Sequence, residues 1–160
     1  MFITVFLLSY FVTLGSFLHP TDDGHMQYWS ENHQSGWYCG QYLVGHAFST
    51  NPDLADIVFH GVNNTGHVHY IRGKERLQRW LDYRGRFGFS EYNADTYAPI
   101  AYNPLVTVAA LAPDKEVKTL AEMITFLQLF DWILSAHKGE KSGIGFLRKL
   151  SGLFHKQAKG

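Results

Sequence analysis

Two aromatic-flanked Ser-Glu segments, Tyr28-Trp29-Ser30-Glu31-Asn32-His33-Gln34 and Phe87-Gly88-Phe89-Ser90-Glu91-Tyr92, each stand where a helical pattern begins. They gather carboxylate, amide, imidazole and phenol groups among large aromatic rings, the mixture from which a sugar-handling cleft is built. Glu31 and Glu91 suit glycoside hydrolysis, with one carboxyl protonated, the other ionised, and their separation setting an inverting or a retaining course. The same residues also suit a structural role, because Ser caps helices and a Glu in the first turn meets the positive end of the helix dipole. His60, His67 and His69 are close in sequence, but their spacing matches no standard zinc pattern and no Cys pair accompanies them, so no metal is expected. No glycine-rich phosphate loop, nucleophile elbow or dinucleotide fingerprint is present, which argues against nucleotide-driven chemistry and leaves no cofactor to expect.

Both segments need helices behind them. Ser30 offers an N-cap oxygen to a helix running to about Phe48, along which Trp37, Tyr38, Leu43, Val44 and Ala47 recur at helical spacing. Residues 49–66, with Asn51-Pro52, Gly61, Asn63-Asn64 and Gly66 around Ile57-Val58-Phe59, read as a long loop with little regular structure. A second helix is expected from His67 to about Arg86, with Ile71, Leu77, Trp80 and Leu81 as its buried stripe and Glu75/Arg79 and Asp82/Arg86 as i,i+4 pairs. Pro99 and Pro104 predict a short helix over about 91–98, a kink, and another helix over about 103–112. The clearest pattern runs over 114–138, opened by Pro113-Asp114 and stopped by Gly139. There Val117, Leu120, Ile124, Leu127, Phe130 and Leu134 form one apolar stripe, and Met123, Phe126 and Ile133 widen it enough to predict burial on more than one side.

The chain has 160 residues, 46% of them hydrophobic, which suffices for one compact domain with a real core. Lys plus Arg and Asp plus Glu balance at 14 each, so no overall basic field marks a nucleic-acid binder. Cys39 stands alone, which excludes an intramolecular disulfide and suits a small buried hydrophobe. The uncharged stretch Phe2 to Leu18 reads as a core helix or as a signal or membrane anchor. A signal or anchor would make the chain secreted or membrane-associated, with Asn63-Asn64-Thr65 as a glycosylation site; otherwise the chain is cytoplasmic. Residues 140–160 form a basic amphipathic tail, in which Ile144, Phe146, Leu147, Leu150, Leu153 and Phe154 alternate with Lys141, Arg148, Lys149, Lys156 and Lys159. Phe2–Leu18 and this tail are the two segments suited to membrane contact.

The order Trp29-Ser30-Glu31-Asn32-His33-Gln34, Tyr42-Leu43, Thr65-Gly66, His69, Trp80-Leu81-Asp82, Arg84, Arg86-Phe87-Gly88-Phe89-Ser90-Glu91, Tyr97 and Leu129-Phe130-Asp131 resembles a family of helical-toroid proteins. That family looks like polysaccharide lyases and glycosidases of α/α-toroid type. The likeness covers about residues 14–139; Tyr92 stands where the family usually has Trp, and Ala94 and Asp95 where it tends to have small polar residues. It implies an all-α fold, a set of antiparallel helix pairs belonging to an incomplete α/α toroid. Residues 1–18 would then be an apolar helix, 19–139 the toroid segment and 140–160 a tail foreign to the family. A toroid needs roughly twice this length, so the chain is expected to be a piece of something longer.

The resemblance also implies a chemistry, lysis of an acidic polysaccharide, which requires a partner for the uronate carboxylate, a base and an acid. Asn32, assisted by Arg84 or Arg86, would bind the carboxylate, His33 would be the base and Tyr97 the acid. Glu91 completes the catalytic candidates, and Trp29, Glu31, His69 and Arg84 are the substrate-binding ones. A non-catalytic helical scaffold that binds a saccharide or a protein partner is the alternative, so the sequence leaves enzymatic activity open.

Overall fold

The computed structural model describes residues 30–59, 63–90, 97–137 and 140–141, and Phe2–Leu18, Trp29, His60, Glu91, Tyr92, Ala94, Asp95 and most of the tail lie outside them. The described chain is all-α. Helix α1 spans Glu31–Thr50, α2 Gly66–Phe87, α3 Ala98–Leu111 and α4 Lys115–Leu134. Two antiparallel two-stranded ladders accompany them: β1 (Val58–Phe59) with β2 (Asn64–Thr65) between α1 and α2, and β3 (Ala136–His137) with β4 (Glu140–Lys141) after α4.

The α1–α2 pair is antiparallel and unusually close. A Cβ added at Gly45 would strike the backbone of Tyr70, and one added at Gly73 would lie 2.6 Å from the backbone nitrogen of Tyr42. These two glycines let the helix backbones touch, much as small residues do wherever helices approach closely. The crossing fixes the register of the pair. Position 45 faces 70, 42 faces 73, and toward the other end Gln34 meets Trp80 and Glu31 meets Arg84.

Helices α3 and α4 form a second hairpin across Ala112-Pro113-Asp114, with α3 against α1 and α4 against α2. The core fills the space between the hairpins with Cys39, Tyr42, Leu43, Leu77, Trp80, Leu81, Leu105, Val108, Val117, Ala121 and Ile124. A smaller cluster, Val44 and Phe48 with Leu54 and Phe59, seats the β1–β2 ladder on α1.

Several local expectations change. In the region 49–66, expected to have little regular structure, α1 continues to Thr50, turns follow, and the two-residue strands β1 and β2 pair. Pro104 does not divide the third helix: Pro99 occupies its first turn, where a missing N–H costs nothing, and α3 then runs unbroken through Pro104 to Leu111. Ile71 is exposed rather than part of the α2 stripe, and among the charged pairs on α2 the Arg86–Asp82 bridge forms, its Nε–Oδ2 distance 2.9 Å. Helix α4 stops at Leu134, before Gly139, because β3 and β4 reverse the chain.

The largest difference concerns the faces of α4. Its buried side is Val117, Ala121, Ile124 and Gln128, while Met123, Phe126, Leu127, Phe130, Ile133 and Leu134 are exposed on the opposite side. Burial on more than one side is therefore not found; α2 and α3 cover only one. No helix among the described residues is long and apolar enough to cross a membrane.

Candidate functional site

Most of the polar candidates sit where α1 begins and α2 ends. Ser30 occupies the N-cap position, and its carbonyl accepts from the Gln34 N–H at 3.0 Å. Its hydroxyl does not cap the backbone as the sequence suggested. It donates to Asn32 Oδ1 at 2.7 Å and lies 2.5 Å from His33 Nδ1, because these two side chains fold back over it and compete with the backbone donors. Asn32 is buried, and its carbonyl accepts from Ser35 Oγ at 2.9 Å. His33 is half-buried, its ring centroid 6.0 Å from that of Trp37.

Glu31 is 3% exposed and forms an ion pair with Arg84, whose Nη1 also reaches the Gly88 carbonyl at 3.2 Å. The same carboxylate oxygen of Glu31 accepts from the backbone N–H of Ser90 at 2.8 Å. The two Ser-Glu segments therefore meet: the carboxylate of the first holds the backbone of the second. Gly88, at φ 71°, ends α2 with its N–H on the Arg84 carbonyl at 2.9 Å, and this left-handed residue turns the chain back toward Glu31. Losing either member of so buried a pair would leave an uncompensated charge, at a cost of about 3–5 kcal/mol.

Around this pair is an aromatic surface. The Arg84 guanidinium lies 4.8 Å from the Tyr83 ring centroid and 5.6 Å from that of Trp80, within cation–π range. Trp80 is buried and donates its indole N–H to Gln34 Oε1 at 3.1 Å. Tyr83 and Phe87, one helical turn apart, are 52% and 70% exposed, with ring centroids 4.7 Å apart. Arg86 is also exposed and held by Asp82, one turn back on its own helix.

His69 lies elsewhere. It is buried toward the start of α2, its Nδ1 3.2 Å from Gln41 Nε2, and Gln41 in turn accepts from Arg76 Nη1 at 3.2 Å. Gln41 stands ten residues along α1 from Glu31, or about 15 Å. Burial, then the charges of Arg72 and Arg76, hold the His69 imidazole below its ordinary pKa. Tyr97 is exposed just before α3. Ser30, Glu31, Asn32, His33 and Arg84 thus share one end, Arg86 borders it, and His69 is separate. Among the described residues no group of three or more His, Cys, Asp or Glu side chains is gathered for a metal.

One cluster was missed by sequence reasoning. Asp114, read there as a helix cap, makes no side-chain cap bond; its carboxylate instead accepts from Tyr42 OH at 3.0 Å, Tyr70 OH at 2.6 Å and Lys74 Nζ at 2.5 Å. Burial alone would raise its pKa, but the bonds from Lys74, Tyr70 and Tyr42 and the Lys74 charge bring it below the usual carboxylate range. Burial and the neighbouring carboxylate push Tyr70 up to about 12. A signal was present: Tyr42 and Tyr70 fall on inward positions of two helices, and a buried phenol needs an acceptor. All four groups are satisfied, so the cluster ties α1, α2 and the α3–α4 junction together. No family model matches this chain, and comparisons with curated proteins and with solved structures likewise give no match.

Proposed function

We propose that the chain is a non-catalytic helical module that binds an acidic saccharide at the end where α1 begins and α2 ends. The observation that carries this reading is the exposed Tyr83–Phe87 pair beside Arg84 and Arg86. Two large rings on one helix face offer an apolar platform for the C–H face of a pyranose. Arg86, exposed beside them, bonds Asp82 through Nε, so its two terminal nitrogens are the paired donors that a uronate carboxylate accepts. The more buried polar side chains of this end serve architecture: Glu31 is held by Arg84 and Ser90, and His33 by Ser30. Such a division favours binding over proton transfer, which needs an acid and a base converging on one reacting atom.

The test is titration with a galacturonate tetramer, with a neutral glucose tetramer as control, followed by calorimetry and by absorbance of unsaturated uronate ends. Selective binding without product, weakened about tenfold by Tyr83→Ala at unchanged melting temperature, is the expected result. Steady release of unsaturated ends would replace the binding reading with a lyase, and equal indifference to both sugars would remove the saccharide.

A further inference from the structure

The exposed apolar face of α4 is followed in the chain by a second segment rich in apolar residues. Met123, Phe126, Leu127, Phe130, Ile133 and Leu134, each between 39% and 66% exposed, run along the side opposite the core over about 17 Å. A contiguous apolar surface of this size on one helix marks a contact site. Directly after α4, β3 pairs antiparallel with β4, with Ala136 opposite Lys141 and His137 opposite Glu140. The chain is therefore turned back on itself at the very end of this face.

We propose that residues 144–154 pack as a helix antiparallel to α4 and cover its outer face. Two arms that leave a hairpin with equal rise keep the pairing that the hairpin sets. Extended from the β3–β4 register, it brings Ile144 to Ile133, Leu147 to Phe130, Leu150 to Leu127 and Phe154 to Met123. Four apolar residues of the returning segment thus each meet an exposed apolar residue of α4. In a helix these four residues lie on one side, Lys149 and Lys156 on the other and Arg148 at the border, so docking leaves the cations in water. The lengths agree as well, because Ile144 to Phe154 spans about 15 Å as a helix. Gly143, Gly145 and Gly152 make this a poor helix in isolation, so it forms only on docking.

The experiment uses the full chain. Amide hydrogen exchange should show protection across 144–154, and Phe130→Lys, a change at a surface position, should reduce it at least tenfold while the amides of Leu77 and Leu81 stay protected. In parallel, Leu127→Cys with Leu150→Cys should close an intramolecular disulfide at least tenfold faster than Leu127→Cys with Lys149→Cys. Equal closure rates, or exchange over 144–154 as fast as in a free peptide, would overturn the proposal. So would cross-links formed only between two chains, which would assign the face to a second copy, or protection that appears only with vesicles containing anionic phospholipid.

Discussion

Asp114 shows how one side chain organises this protein. Its carboxylate accepts hydrogen bonds from two phenols and a lysine that come from two different helices, at the point where the second hairpin turns. Replacing it by Asn removes the charge that these donors share, and the expected loss is about 2 kcal/mol at neutral pH, the scale of hydrogen bonds to a charged group. The sign of its pH dependence follows from its depressed pKa. The stabilisation is complete above the unfolded carboxyl pKa of about 3.9 and disappears as pH falls from there through the lower folded value. Acid unfolding of the native chain should therefore steepen below about pH 4, and Asp114→Asn should flatten that part of a stability–pH profile measured by denaturant titration. An unchanged acid limb would show that Asp114 is not the linked group. The sequence placed Asp114 correctly at the start of a helix but misread its partners, which come from residues 40 to 72 positions away.

The α1–α2 pair is an element-scale device, in which glycine contact sets the separation and polar groups set the register. Gly73→Ala gains up to about 1 kcal/mol of helix propensity, but the new methyl would lie 2.6 Å from the Tyr42 backbone nitrogen, and overpacking costs about 1–3 kcal/mol or more. The clash is with backbone, which cannot rotate away, so net destabilisation is expected. Gly40→Ala in α1 is the control, since nothing lies within 4 Å of a Cβ there and only the propensity gain remains. Opposite shifts of the two denaturation midpoints would confirm the contact; a shared direction would mean that the helices slide apart freely. Periodicity in the sequence found α1, α2 and α4 to within a few residues, but not which glycines touch a neighbour. That distinction depends on the crossing point, which i,i+3 and i,i+4 spacing does not encode.

At the scale of the whole molecule, Cys39 offers a reporter. It is 1% exposed between the two hairpins, and burial pushes its thiol pKa up, so the reactive thiolate is suppressed twice over. Labelling by a thiol reagent should proceed only through opening of the core. Its rate should rise with denaturant in parallel with the loss of helical circular dichroism. Rapid labelling under native conditions would show that the hairpins separate without unfolding. The same core explains why one side of α4 is satisfied and the other is not: a ring of four helices encloses one interior, and a helix with two apolar faces turns the second outward.

What the sequence alone determined was local: an all-α chain, helix starts at Ser30 and Asp114, the Asp82–Arg86 pair, and the burial of Cys39, Leu77, Trp80 and Leu81. Each of these rests on spacing within one or two turns, or on a residue's own aversion to water. The tertiary structure alone decided that Glu31 joins the two Ser-Glu segments through Arg84 and Ser90. It also decided that Asp114 serves Tyr42, Tyr70 and Lys74 rather than its own helix, and that α4 hides Ile124 while showing Phe126 and Phe130. These outcomes depend on which helix faces which, a competition between distant groups for the same buried space, and no local pattern ranks those alternatives.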